Sequence, residues 1–114
     1  DTVGQSLAAG RVVTVGPDAP ATPCDSLQTP ATFPLNLRLL SGRVGYGLTV
    51  STAEIRSAQR LAFAQLRLVL EPGGAAALAA VMAGKVNVAE RSAVILSGGN
   101  TDPAAFAQVL LGTD

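Results

Sequence analysis

The chain has 114 residues, enough for one domain, and its eight basic and eight acidic residues leave no net charge and no basic patch of the kind that binds nucleic acid. No apolar run reaches the ~18 residues that span a bilayer, and no signal-peptide pattern opens the sequence, so we expect a cytoplasmic protein without membrane association. Histidine is absent and lysine occurs once, as Lys85, which removes the commonest general base and predicts little catalysis by this chain alone.

The first third of the chain predicts a short helix, a loop and a second helix. Residues 1–9 can form a helix that Gly10 ends in the left-handed conformation. Five prolines in or just beyond residues 11–32 oppose a regular hydrogen-bond ladder, so this segment is predicted to be a proline-rich loop over a surface. Pro34 suits the first turn of a helix that runs to about Leu40.

The middle of the chain predicts a strand followed by an amphipathic helix. Tyr46–Val50 is the strand, and Ser51 and Glu54 after it form a capping-box pattern in which each side chain satisfies the other residue's free amide. The helix that begins there has an apolar face and a charged face. Its apolar face carries Ile55, Ala58, Ala62 and Leu66.

The last third predicts two more helices and a strand. Residues 73–83 are nearly all small or apolar, which predicts a helix that is buried all round and that Gly84 can close. Ala93–Leu96 is a continuous apolar run, typical of a strand inside a parallel sheet. Asp102 and Pro103 supply an N-cap and a first-turn proline for the final helix.

This alternation of helices and strands predicts an α/β fold: a three-layer fragment with an incomplete parallel sheet and helices packed on both faces. Two strands make a poor sheet. In addition, 48% of the residues are hydrophobic and only 14% are charged. Both observations predict that further strands and covering surface come from another part of the same protein or from a second subunit.

The turn Ser97-Gly98-Gly99-Asn100, directly after the second predicted strand, is the strongest candidate for a ligand site. Ligands of open α/β sheets bind beyond the carboxyl ends of the strands, and glycines there let a flat ligand approach the backbone. A serine hydroxyl can bond a ring nitrogen without adding a formal charge. An ordinary glycine turn leading to the next helix cap is the simpler interpretation, and the residues alone leave both open.

Three other positions have simpler structural interpretations. Glu71 begins the buried helix, where the helix dipole favours a capping acid. Cys24-Asp25-Ser26 lacks a histidine and therefore cannot be a catalytic triad, so a turn is predicted. Lys85 follows the glycine stop in a polar turn and is predicted to be a solvated surface lysine.

These segments occur in the order seen at the C-terminal end of the threonine/serine dehydratase and serine racemase family. Its members are pyridoxal 5'-phosphate (PLP) enzymes of fold type II, the tryptophan synthase β-like fold. The resemblance covers essentially all 114 residues. Tyr46–Val50 with Ser51–Ile55 resembles "TVS-x-x-EI", Leu68–Ala76 is similar to "LVVEPSGAA", Ala93–Asp102 to "AVVLSGGNVD", Thr22–Leu27 to "TIADGL" and Thr32–Pro34 to "TFP".

The resemblance implies that Ser97, Gly98, Glu71 and Ser26 bind the cofactor and that this chain holds no catalytic residue. Ser97 matches the serine that hydrogen-bonds the pyridine nitrogen of PLP, and Gly98 would clear room beside the ring. Glu71 matches a glutamate close to the cofactor pocket. Asp25 and Ser26 match a loop that passes near the lysine-linked end of the cofactor, with Ser26 in place of the usual glycine.

Two features of the family are missing from this sequence. The lysine that anchors PLP and the glycine-rich phosphate loop lie upstream in the family, in segments this chain does not contain, and Lys85 does not match that lysine. Some members bind a divalent cation. Asp1 matches one acidic position of that site, but Thr2 follows it, and no metal site is predicted.

The resemblance implies that residues 1–114 are the C-terminal portion of the PLP-binding large domain of a lyase. The intact enzyme would convert a small β-hydroxy amino acid, threonine or serine, into a 2-oxo acid and ammonia, as a homo-oligomer. The fragment, without its N-terminal part, is expected to be inactive. Two alternatives stay open: a racemase or a hydroxyaspartate or phenylserine dehydratase on the same scaffold, and a non-catalytic interaction domain that retains the fold.

Overall fold

A computed structural model describes residues 2–113, and both terminal aspartates lie outside the described residues. Its α-helices are α1 (Thr2–Ala9), α2 (Pro34–Leu40), α3 (Thr52–Leu61), α4 (Pro72–Met82) and α5 (Pro103–Leu111); a 3-10 turn spans Asp25–Leu27, and a π-helical turn, Ala62–Leu66, continues α3. The chain divides into two compact units, Asp1–Thr49 and Val50–Asp114, which we call the first and second units. None of the helices in residues 2–113 has the length and apolarity to cross a bilayer.

In the first unit, α1 is tied to the proline-rich loop by hydrogen bonds. The helix ends at Gly10, which has a φ of +63°, as predicted. Its buried residues are Thr2 and Ser6. The Thr2 hydroxyl donates to the carbonyl of Thr29 at 3.3 Å, and the amide of Val13 donates to Ser6 Oγ at 2.9 Å. These buried polar side chains therefore anchor the loop at both ends.

The rest of the first unit is the folded-back loop and α2. Thr14 and Ala31 form an isolated antiparallel bridge, so the loop returns on itself. The helix begins with Pro34 in its first turn and ends at Leu40, which confirms the predicted bounds. Of its leucines, Leu37 is buried.

In the second unit, α3 packs chiefly on α4 and also on α5. The small side chains of α4 allow this close approach. The prediction that α4 is buried all round is wrong, because one side of the helix faces α3 whereas Ala77 and Met82 are exposed. The buried apolar residues of the unit are Ile55, Ala58, Ala62, Leu70, Ala75, Ala79, Ala80, Phe106 and Val109.

The last helix is held against α3 by a polar and an aromatic contact. Arg60, on α3, donates from Nη1 to the carbonyl of Val109 at 3.0 Å. The rings of Phe63 and Phe106 meet edge to face, with centroids 5.7 Å apart. The arginine thereby adds a second hydrogen bond to a carbonyl in the last turn of α5, which also accepts from the amide of Gly112 at 3.3 Å.

The predicted capping box at the start of α3 is confirmed. The Ser51 amide donates to Glu54 Oε2 at 2.6 Å, and the Glu54 amide donates to Ser51 Oγ at 3.3 Å. The same carboxylate oxygen accepts from Lys85 Nζ at 2.7 Å. Lys85 is exposed, as predicted, but it is ion-paired. This ammonium group, together with the Ser51 amide, holds the pKa of Glu54 below its usual range.

Replacing Glu54 with Gln is expected to lower the Tm of the protein at neutral pH and to leave it unchanged in strong acid. A carboxylate whose pKa is depressed by folding stabilises the protein above its unfolded pKa, and this stabilisation disappears as the pH falls through the folded value. Thermal unfolding across that acid range measures the effect. Glu90→Gln, in an exposed turn, is the matched control, and a difference for Glu54→Gln that persists in acid would contradict the prediction.

The predicted strands Tyr46–Val50 and Ala93–Leu96 are not strands in the described residues. A strand is stable only where neighbouring strands pair with its amides and carbonyls, and residues 2–113 supply no such neighbours. Ile95 is 80% exposed, although its apolar run was predicted to be buried. The predicted parallel sheet is therefore not formed within residues 2–113.

Candidate functional site

The turn that begins at Ser97 lies against the first turn of α4. The amide of Glu71, the residue before the helix, donates to the carbonyl of Gly98 at 2.9 Å. Gly74 lies so close that a Cβ built on it would overlap the carbonyl oxygen of Ser97. Two segments that the sequence singled out separately are thus adjacent within the second unit.

Gly98 meets two conditions that exclude other residues. Its φ is +70°, in the left-handed region that L side chains rarely adopt. A Cβ at this position would overlap the Glu71 carboxyl group and would lie 2.7 Å from its Cγ. The backbone of the turn therefore passes directly over the Glu71 side chain.

The remainder of the turn is tight and leads into α5. A Cβ on Gly99 would lie 3.2 Å from the carbonyl oxygen of Val69, and the Gly99 carbonyl accepts from the amide of Thr101 at 3.1 Å. Asp102 then caps α5 by accepting from the amide of Ala105 at 2.8 Å, which confirms the predicted helix start.

Gln59, on α3, holds the segment that carries Glu71. Its side chain is 2% exposed, and its Nε2 donates to the carbonyl of Leu70 at 2.8 Å. The sequence patterns above did not single out this residue. The sequence signal for Gln59 is its position, four residues after Ile55, on the apolar face of an amphipathic helix. A side-chain amide buried at such a position requires a hydrogen-bond partner.

Gln59→Met is expected to lower the free energy of unfolding by about 1–3 kcal/mol. The carbonyl of Leu70 loses its hydrogen-bond donor, while Leu70 itself stays buried. Urea unfolding with a fixed m-value measures the change. Gln108→Met is the matched control, since Gln108 is exposed on α5. Equal midpoints for the two variants would contradict a structural role for the buried amide.

The predicted Cys24-Asp25-Ser26 loop belongs to the first unit. Ser26 is exposed in the 3-10 turn, and its amide donates to Asp25 Oδ1 at 2.7 Å. Cys24 is buried, and its burial raises the pKa of the thiol, so the thiolate that a nucleophile requires is disfavoured. The relation of Ser26 to the cofactor stays a prediction.

Residues 2–113 contain no group of three or more Cys, Asp or Glu side chains placed to hold a metal ion. Asp1, the acidic position that the sequence matched to a cation site, lies outside the described residues.

The chemistry of the turn fits an edge of a flat aromatic cofactor. Ser97 is exposed and offers a neutral hydroxyl that can donate or accept. The two positions after it have no side chains, and the Glu71 side chain occupies the space that a Cβ on Gly98 would take. Such a surface suits a ring nitrogen that is bonded without a formal charge.

Comparisons with known proteins identify relatives of this chain. The chain is 38% identical to phenylserine dehydratase of Ralstonia pickettii over 96% of its own length and 34% of the relative. It is 32% identical to L-threo-3-hydroxyaspartate ammonia-lyase of a Pseudomonas species over 95% of its length and 34% of the relative. The chain thus spans about a third of the length of these relatives.

A solved structure and a family model extend the comparison. The crystal structure of a threonine deaminase from T.th. is 36% identical, covers 90% of this chain with 36% of its own, and superposes with a TM-score of 0.81. The family model described as "Pyridoxal-phosphate dependent enzyme" matches residues 1–98, most of the sequence. The chain therefore belongs to the family of pyridoxal-phosphate-dependent enzymes of fold type II.

Proposed function

We propose that this chain is the C-terminal portion of the cofactor-binding large domain of a PLP-dependent dehydratase. The intact enzyme converts a β-hydroxy amino acid, threonine or serine, into a 2-oxo acid and ammonia. The observation that carries the proposal is the contact between the Ser97–Gly98 turn and Glu71, in a chain of this family. When bound, PLP withdraws electrons from the substrate's α-carbon.

Ser97 is the residue that orients the cofactor ring in this proposal. Its exposed hydroxyl bonds the pyridine nitrogen as a neutral group. A carboxylate at this position would hold a proton on that nitrogen, whereas a hydroxyl leaves it largely unprotonated. The ring is then a milder electron sink, which suits β-elimination better than reactions that need a long-lived carbanion.

The neighbouring residues shape the pocket. Gly98 and Gly99 present backbone without side chains beside the ring, and the half-buried Glu71 carboxylate occupies the position that a Cβ on Gly98 would take. The resemblance, which has a glycine at the position of Ser26, supports a separate role for Ser26 toward the substrate. The N-terminal part of the same protein supplies the anchoring lysine and the phosphate loop, and the intact enzyme is a homo-oligomer.

The cofactor assignment is tested with the isolated chain and the full-length protein side by side. The full-length protein is expected to take up PLP and show the near-ultraviolet to visible absorption of the lysine-bound cofactor. The isolated chain is expected to stay colourless and inactive, because residues 1–114 contribute neither the lysine nor the phosphate loop. A full-length protein that stays colourless with added PLP would overturn the assignment and favour a non-catalytic interaction domain.

The similarity to phenylserine dehydratase and hydroxyaspartate ammonia-lyase favours a second candidate, a dehydratase for a β-hydroxy amino acid with a larger or acidic side chain. Incubating the full-length enzyme separately with threonine, serine, phenylserine and hydroxyaspartate, and measuring 2-oxo acid and ammonia, ranks the substrates by kcat/KM. Inversion of L-serine without 2-oxo acid formation would show a racemase and overturn the dehydratase proposal.

A further inference from the structure

Gly74 lies in the first turn of α4, buried against the backbone of Ser97. A Cβ built on Gly74 would overlap the carbonyl oxygen of Ser97, and it would lie 2.6 Å from the carbonyl carbon of Ser97 and 3.1 Å from the carbonyl oxygen of Gly98. These are backbone atoms, which cannot rotate away as the end of a flexible side chain can. Any side chain at Gly74 must therefore displace the peptide between Ser97 and Gly98.

The same helix start also holds the next carbonyl of the turn. The amide of Glu71 donates to the Gly98 carbonyl at 2.9 Å, while the Glu71 carbonyl accepts the first helical bond from Ala75 at 3.1 Å. The carbonyl of Ser97 thus packs against Gly74, and the carbonyl of Gly98 accepts a hydrogen bond from the Glu71 amide. The start of α4 fixes the plane of the peptide that follows the Ser97 side chain.

We propose that Gly74 is the positioning residue that sets where Ser97 presents its hydroxyl to the cofactor. This inference rests on the proposed function of Ser97. Gly74 itself does not touch the cofactor and acts only through the Ser97 peptide. Glycine is a weaker helix former than alanine, and the close contact with the Ser97 backbone gives a packing reason for glycine at position 74.

The test compares Gly74→Ala with Ala79→Val in full-length enzyme loaded with PLP. Ala79 is fully buried on the same helix, five residues further from the turn, so Ala79→Val overpacks the core without reaching Ser97. Both variants are expected to lower Tm. Only Gly74→Ala is expected to shift the PLP absorption band and to reduce kcat, by about 100-fold, as a misplacement of ~1 Å does. An unchanged band and kcat in folded Gly74→Ala would overturn the proposal.

A double-variant cycle separates positioning from general damage. If Gly74 acts through the Ser97 hydroxyl, adding Gly74→Ala to Ser97→Ala reduces kcat little further, because the group that Gly74 positions is already missing. Multiplicative losses in the double variant would overturn the positioning role. A wild-type enzyme that takes up no PLP would instead contradict the proposed function itself, which keeps the two failures distinct.

If Gly74→Ala does not fold, as judged by circular dichroism, Ala75→Gly and Ala79→Gly replace it. Both alanines are fully buried on α4, and both changes lower the helix propensity of α4 similarly. Only Ala75→Gly loosens the turn that carries Gly74. It is expected to weaken PLP binding several-fold relative to Ala79→Gly, and equal PLP affinities would overturn the proposal.

Discussion

Ser97→Ala in the full-length protein is expected to lower kcat by about 100-fold, the usual loss when one preorganised hydrogen-bonding group leaves an active site. The substitution removes only a hydroxyl from an exposed side chain. The fold should therefore persist, with Tm changed by no more than an ordinary surface substitution changes it. The PLP absorption band should shift, because the ring nitrogen loses its partner.

Two variants make this result specific. Ser97→Thr retains a hydroxyl and is expected to recover most of the activity. Ser92→Ala removes a serine whose Oγ accepts from the amide of Ala89 at 2.8 Å, in a separate turn of the same unit, and it is expected to leave kcat unchanged. Full activity in Ser97→Ala, or equal losses in Ser97→Ala and Ser92→Ala, would contradict the role at the pyridine nitrogen.

The helix ends were predictable because their signals are local. The Ser51–Glu54 capping box, the first-turn Pro34 and the Asp102 cap each depend on residues within one turn of the helix start. Gly10 likewise ends α1 through its own φ of +63°. Such signals act over three or four residues, so the rest of the protein is not needed to interpret them.

The strands were not predictable to the same degree, because a strand is defined by its partners. Ala93–Leu96 has the composition of a buried strand, yet it has no ladder within residues 2–113, and Ile95 is exposed. The apolar pattern indicates that the segment suits buried surroundings in a sheet. It does not show that this chain provides those surroundings. The exposed run is consistent with covering strands from elsewhere in the protein, as we propose.

Contacts between distant residues also escaped sequence reasoning. Lys85 was predicted to be a solvated lysine, and its pairing with Glu54 joins positions on different elements. The side-chain amide of Gln59 donates to the carbonyl of Leu70. The packing of the Ser97 carbonyl against Gly74 becomes evident only in the folded chain, where the turn and α4 are adjacent. The resemblance named Ser97 and Glu71, but the contact of Glu71 with Gly98, the residue after Ser97, needed the fold.

Gly98→Ala is expected to destabilise the full-length protein and to weaken PLP binding. The left-handed backbone costs roughly 1–2 kcal/mol for a residue with a Cβ, and overlap with the Glu71 side chain adds to this cost. The overlap is relieved either by rotation of the Glu71 side chain or by movement of the turn away from α4. Either change alters the surroundings of Ser97, so PLP binding should weaken even where the protein still folds.

Gly112→Ala separates these two causes. Gly112 has a φ of +68°, nearly that of Gly98, but a Cβ there would meet nothing within 4 Å, so this variant carries the backbone cost alone. Adding Glu71→Ala to Gly98→Ala removes the overlapping carboxyl group and is expected to bring the free energy of unfolding back toward that of Gly112→Ala. Urea unfolding and PLP titration measure both effects. Equal destabilisation by Gly98→Ala and Gly112→Ala, with PLP binding retained, would mean that Glu71 does not support the turn.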